Sequence, residues 1–83
     1  MTNRIVRFPI GQQFMSGGKH PRLCTVIDIL KTFNNAGDLV RISYVAEHEF
    51  LGQKVTSWDN CDTTVARGAM DLDRLKQKEK YRV

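Results

Sequence analysis

Three consecutive segments decide the fold: Leu23-Cys24-Thr25-Val26-Ile27-Asp28-Ile29-Leu30-Lys31-Thr32-Phe33, then Asn34-Asn35-Ala36-Gly37-Asp38, then Leu39-Val40-Arg41-Ile42-Ser43-Tyr44-Val45-Ala46-Glu47-His48-Glu49-Phe50. The first is crowded with β-branched and aromatic residues, the types that pack well on a pleated surface. Its apolar residues fall on both faces, which predicts a strongly bent strand. The second supplies Asn and Gly, which accept the positive φ of a tight turn. The third alternates: Val40, Ile42, Tyr44, Ala46 and Phe50 share one face with His48, while Arg41, Ser43, Glu47 and Glu49 share the other. Val45 is the exception. Together they predict one long antiparallel hairpin, half-buried along its second strand.

Working outward, Arg4 to Ile10 alternates weakly until Pro9 and Gly11 interrupt it, as in a short edge strand or an ordered arm. Gln12 to Met15 reads as a first core strand with Phe14 inward. Ser16-Gly17-Gly18-Lys19-His20-Pro21 is a loop, because Gly-Gly and a following Pro break regular structure. Beyond the hairpin, Leu51-Gly52-Gln53 is a turn and Lys54 to Trp58 a short strand. Asp59 to Thr64 reads as a turn and a short helical turn, with Asp62 or Thr63 as its cap. Val65-Ala66-Arg67 reads as a last short strand or the end of that turn. Gly68 breaks the pattern, and Asp71 to Tyr81 suits a short helix carrying Leu72 and Leu75 on one side, or else a basic tail. The chain therefore divides into an arm at 1–11, a β-domain at 12–68 and a basic helix or tail at 69–83.

This order of strand, Gly-rich loop, long hairpin, short strand and helical turn resembles the SH3-like small barrel, including KOW and Tudor-type domains. The resemblance rests on Phe14, Gly17-Gly18, Cys24 to Asp28, Gly37-Asp38, Val40 to Tyr44 and Gly52. It implies a mainly β fold, a small five-stranded SH3-like barrel. A five-stranded OB-type barrel is the nearest competitor.

Eighty-three residues make one domain with a thin core, for which homo-oligomerisation is one route to stability. A hydrophobic content of 41% and a charged content of 27% argue against disorder over the whole chain. No run approaches the ~18 apolar residues of a membrane span, and the N-terminus lacks the apolar core of a signal peptide. The expected setting is cytoplasmic. Cys24 and Cys61 do not make a disulfide framework.

Charge is split along the chain. Residues 1–22 carry Arg4, Arg7, Lys19 and Arg22 without an acid. Residues 23–62 set Lys31, Arg41 and Lys54 against Asp28, Asp38, Glu47, Glu49, Asp59 and Asp62. Residues 63–83 set Arg67, Arg74, Lys76, Lys78, Lys80 and Arg82 against Asp71, Asp73 and Glu79. An acidic middle with basic flanks is the footprint of phosphate binding by the flanks, provided the two ends meet. Trp58, at the end of a short strand, is the best exposed stacking candidate. The acidic set Glu47, Glu49, Asp59 and Asp62 suits a basic protein partner instead.

Most catalytic chemistries find no motif. His20, Cys24, His48 and Cys61 lack the close pairing of zinc ligands, so no metal or cofactor is expected. A Cys–His nucleophile has no local orienting group or oxyanion hole. Type II dihydrofolate reductases are tetramers of SH3-like chains of similar size, but their Val-Gln-Ile-Tyr strand is missing here, where Lys54-Val55-Thr56-Ser57-Trp58 stands. The expectation is a non-enzymatic binding module, a nucleic-acid-binding accessory protein of a phage or mobile element. The alternatives are a protein-binding adaptor or inhibitor acting through the acidic face, and an oligomeric enzyme with its site on a symmetry axis.

Overall fold

The computed structural model describes residues 5–80, Lys80 by its backbone alone. Four strands and one helix follow in order: β1 (Gln13–Met15), β2 (Leu23–Phe33), β3 (Leu39–Phe50), β4 (Gln53–Asn60) and α1 (Asp62–Lys80). All strand pairs are antiparallel, and the sheet order β1-β2-β3-β4 is that of a simple meander. The fold is mainly β, as the hairpin predicts.

The β2–β3 turn forms as its residues dictate. The Asn34 side-chain oxygen accepts from the Ala36 and Asp38 amides at 2.9 and 3.0 Å, and Gly37 takes a φ of +84°. Apolar residues on both faces of β2 have a simple cause. The register slips between Val26 and Asp28, so Ile27 is an extra, bulged residue. Beyond it the inward positions change parity, from Cys24 and Val26 to Ile29. Val40 is a second extra residue, between the Thr32–Arg41 and Phe33–Leu39 pairs, and it is exposed rather than core. A third slip falls in β4 between Ser57 and Asn60.

The core lies on one face of this bent sheet: Phe14, Cys24, Val26, Ile42, Tyr44 and Ala46, closed by Val65 of α1 and flanked by Val6, Phe8, Ile29, Leu39 and Ala69. Val45 and Ser43 are buried on the opposite face, where the Ser43 hydroxyl donates to the Trp58 carbonyl at 2.8 Å. That face is outward for the rest of β3.

The expected closed barrel of five strands does not form; the sheet is open, with four strands. Two local causes explain this. β1 has three residues, cut short by the Gly17-Gly18 loop, and residues 5–10 form no strand. Val65-Ala66-Arg67, which reads either as a last strand or as the end of a helical turn, is helical. A helix thus covers the inner face where a closing strand would have paired. α1 also begins nine residues before the expected start at Asp71 and runs through Gly68. Gly68 is buried against β1: a Cβ there would stand 2.8 and 2.9 Å from Phe14 side-chain carbons and overlap the Met15 carbonyl oxygen. Glycine is the residue that allows this approach, and the approach outweighs the ~1 kcal/mol that glycine costs a helix interior.

Candidate nucleic-acid interface

α1 starts with Cys61 in the N-cap position, its carbonyl accepting the Val65 amide at 3.1 Å. Asp62 opens the first turn, where a carboxylate complements the helix dipole. The helix docks through Val65, Gly68, Ala69 and Leu72, the face turned toward the core and the N-terminal arm. At 3.6 residues per turn, Arg67, Arg74 and Lys78 fall within an arc of about 40° on the opposite side, along a ridge about 16 Å long. All three are exposed. Asp71 lies on the same ridge and is half-buried, so three cations stand against one acid. Beside the ridge, Thr63, Ala66, Arg67, Met70, Asp71 and Arg74 line a groove of about 330 Å³.

The other predicted bases are placed elsewhere. Lys76 faces the arm, in a groove of about 410 Å³ with Pro9, Ile10, Gly11 and Leu72. Lys19 is exposed in the β1–β2 loop. The Arg22 guanidinium stacks over the Phe50 ring, 4.2 Å from its centroid. Arg7 has an exposed side chain near the start of α1, where its amide donates to the Tyr44 hydroxyl at 3.1 Å. Arg4 and the Lys80 side chain lie outside the described residues. Trp58 is 64% exposed, but it follows Lys54 and Thr56 on the outward face, opposite the helix. The structure therefore joins Arg67, Arg74 and Lys78 and separates them from Trp58, Lys19 and Arg22. Thr63, Ala66 and Met70, which floor the groove, were hidden while Gly68 read as a breaker; the helical spacing of 63, 66, 67, 70 and 74 is their signal.

The acidic set is also divided. Glu47, Glu49 and Asp59 lie on the outward face. Glu47 is 3.8 Å from the Lys54 ammonium, and Asp59 pairs with Arg41. Asp62 lies on the inner side, where its carboxylate accepts the Tyr44 hydroxyl at 2.7 Å. Arg22, Leu23, Thr25, Glu47, His48, Glu49 and Lys54 line a groove of about 440 Å³ at the β1–β2 loop end of the sheet. Its charge is mixed rather than acidic.

Among the described residues, three groups titrate away from their ordinary values. Burial pushes the Tyr44 phenol up, with the hydrogen bond to Asp62 adding to it. Burial likewise raises the Cys24 thiol. Cys61 is exposed and held low by the Thr64 hydroxyl, with the Thr64 and Thr63 amides also favouring its thiolate. Among the described residues no group of three or more His, Cys, Asp or Glu is placed to hold a metal ion. No described helix is long and apolar enough to cross a membrane.

The chain matches no protein-family model, no curated protein and no solved structure.

Proposed function

We propose that the protein is a non-enzymatic module that binds nucleic acid by its phosphates through the outer ridge of α1. The observation that carries this reading is the alignment of Arg67, Arg74 and Lys78 along the solvent side of a helix whose first half is docked on the sheet. Extended cations on a rigid rod suit a row of phosphates, and contacts of this kind give affinity with little sequence preference. A role as an accessory protein of a phage or mobile element fits a small module of this kind.

The test is a titration of labelled duplex DNA and single-stranded RNA over a salt series. Three phosphate contacts predict a log–log slope of about −2.7 on duplex DNA. Replacing Arg67, Arg74 and Lys78 together by Gln removes that dependence. Failure of the wild type to bind either nucleic acid at low salt, or unchanged binding by the triple variant, overturns the reading.

A second reading is supported by the mixed-charge groove between Arg22, Thr25, Glu47, Glu49 and Lys54. A cleft with both signs of charge and an apolar wall at Leu23 suits a short peptide of alternating charge. It gains weight if the salt series finds no nucleic-acid binding.

A further inference from the structure

We propose that β4 pairs with β4 of a second copy, about a two-fold axis through Thr56, to make one continuous eight-stranded sheet. This goes beyond the phosphate-binding reading and does not depend on it.

The β3–β4 turn sets which way the backbone groups of β4 face. Leu51 and Gly52 both have positive φ, at +53° and +77°, and Phe50 pairs with Gln53. This is a two-residue hairpin of the type whose twist matches its strands. Its closing pair exchanges both backbone hydrogen bonds, and such pairs alternate along an antiparallel ladder. Gln53, Val55 and Ser57 therefore direct their amides and carbonyls toward β3. Lys54 and Thr56 direct theirs away, and no strand among the described residues takes them up; beyond them the ladder is broken by the bulge, and the Trp58 carbonyl accepts from the Ser43 hydroxyl of β3. An unpaired edge of this length is a template for another strand.

A two-fold axis normal to the sheet keeps inner faces with inner faces, so paired residue numbers must add to an even value. Centring on Thr56 places Thr56 opposite Thr56 and Lys54 opposite Trp58 of the second copy. In this register the two Thr56 residues exchange both backbone hydrogen bonds across the axis. It is also complementary in charge. Each Lys54 ammonium lies beside the indole of Trp58 and next to Asp59 of the second copy, so no like charges face each other. Val55 and Trp58, 40% and 64% exposed, lie within the joint. The bulge between Ser57 and Asn60 ends the ladder there, and because each copy spends its β4 edge on the other, the pairing closes at two copies. The axis keeps both α1 helices on one face of the joined sheet.

The experiment is sedimentation of the full chain over a concentration series, with three variants. The wild type is expected to run as a dimer. Thr56→Pro removes an outward amide without touching the β3–β4 ladder, and it should raise the dimer Kd at least about thirtyfold through two lost hydrogen bonds. Should that variant fail to fold, oxidative cross-linking decides. In a Cys61→Ser background, Thr56→Cys sets two thiols on facing residues, with Cα atoms about 5.5 Å apart, and should form an intermolecular disulfide. Lys54→Cys faces Trp58 instead and should not. A chain that stays monomeric at the highest concentration, leaving the edge to a strand of another protein, overturns the proposal. So does a Thr56→Pro dimer of wild-type affinity, or equal cross-linking at positions 54 and 56.

Discussion

The contact between α1 and β1 and the turn between β3 and β4 break the local rules in opposite directions. At the first, Gly68 sits in the middle of a helix, where its own preference is to end one. At the second, Leu51 takes a positive φ, where glycine or asparagine belongs. The pair shows what overrides local preference. Gly68 is held by close packing: the Met15 carbonyl and the Phe14 ring leave no room for a Cβ. Leu51 is held by strand pairing. The Phe50–Gln53 register leaves two residues for the turn, and both turn types that match the twist of the strands take a positive φ at the first of them. No burial compensates Leu51, which is 87% exposed.

The substitution that breaks the first region hardest is Gly68→Ala. Helix propensity alone favours it by about 1 kcal/mol. The clash with backbone and a fully buried ring costs more, and a net loss of roughly 2–3 kcal/mol is expected in denaturant unfolding. A gain in stability would mean that α1 does not approach β1 so closely.

Tyr44→Phe tests how the helix start is tied to the sheet. The hydroxyl accepts from Arg7 and donates to Asp62, so its removal should cost about 1–2 kcal/mol. The pH dependence has a defined sign. Because the folded phenol titrates above its ordinary value, the protonated form favours the fold. That contribution is full below the unfolded tyrosine pKa of about 10 and is lost as pH rises through the higher folded value. The stability gap between wild type and Tyr44→Phe should therefore be flat up to about pH 10 and shrink above it. A gap that widens there would contradict the assigned donor and acceptor.

Leu51→Asn is the smallest effect and runs the other way. Asparagine tolerates the left-handed region, and the exposed leucine loses no packing, so the variant should be stabler by about 1 kcal/mol. A thermal melt checks this. A destabilised variant would show that the leucine is covered in solution.

The long hairpin was legible because its signals are local. Alternation on β3 marks Ile42, Tyr44 and Ala46, and Asn34 with Gly37 marks the turn. Phe14 was legible for the same reason. The closed barrel rested on the order of the elements, which does not say whether the last segment pairs as a strand or docks as a helix; the apolar residues on both faces of β2 reflect the Ile27 bulge. The candidate site was half legible. Arg67, Arg74 and Lys78 were among the expected bases, but their alignment depends on one uninterrupted helix, which Gly68 concealed. Trp58 and Lys19 could not be excluded from that surface without knowing which face of the sheet each occupies.

By itself the sequence determined the long β2–β3 hairpin, the inward face of β3 at Ile42, Tyr44 and Ala46, and the division of charge, since each follows from neighbours a few residues apart. Tertiary structure alone decided that the sheet stays open, that Gly68 belongs inside a helix and that three cations form a ridge. Those outcomes depend on Phe14 and Met15 meeting Gly68 across more than fifty residues of chain, a contact that packing makes and no local preference encodes.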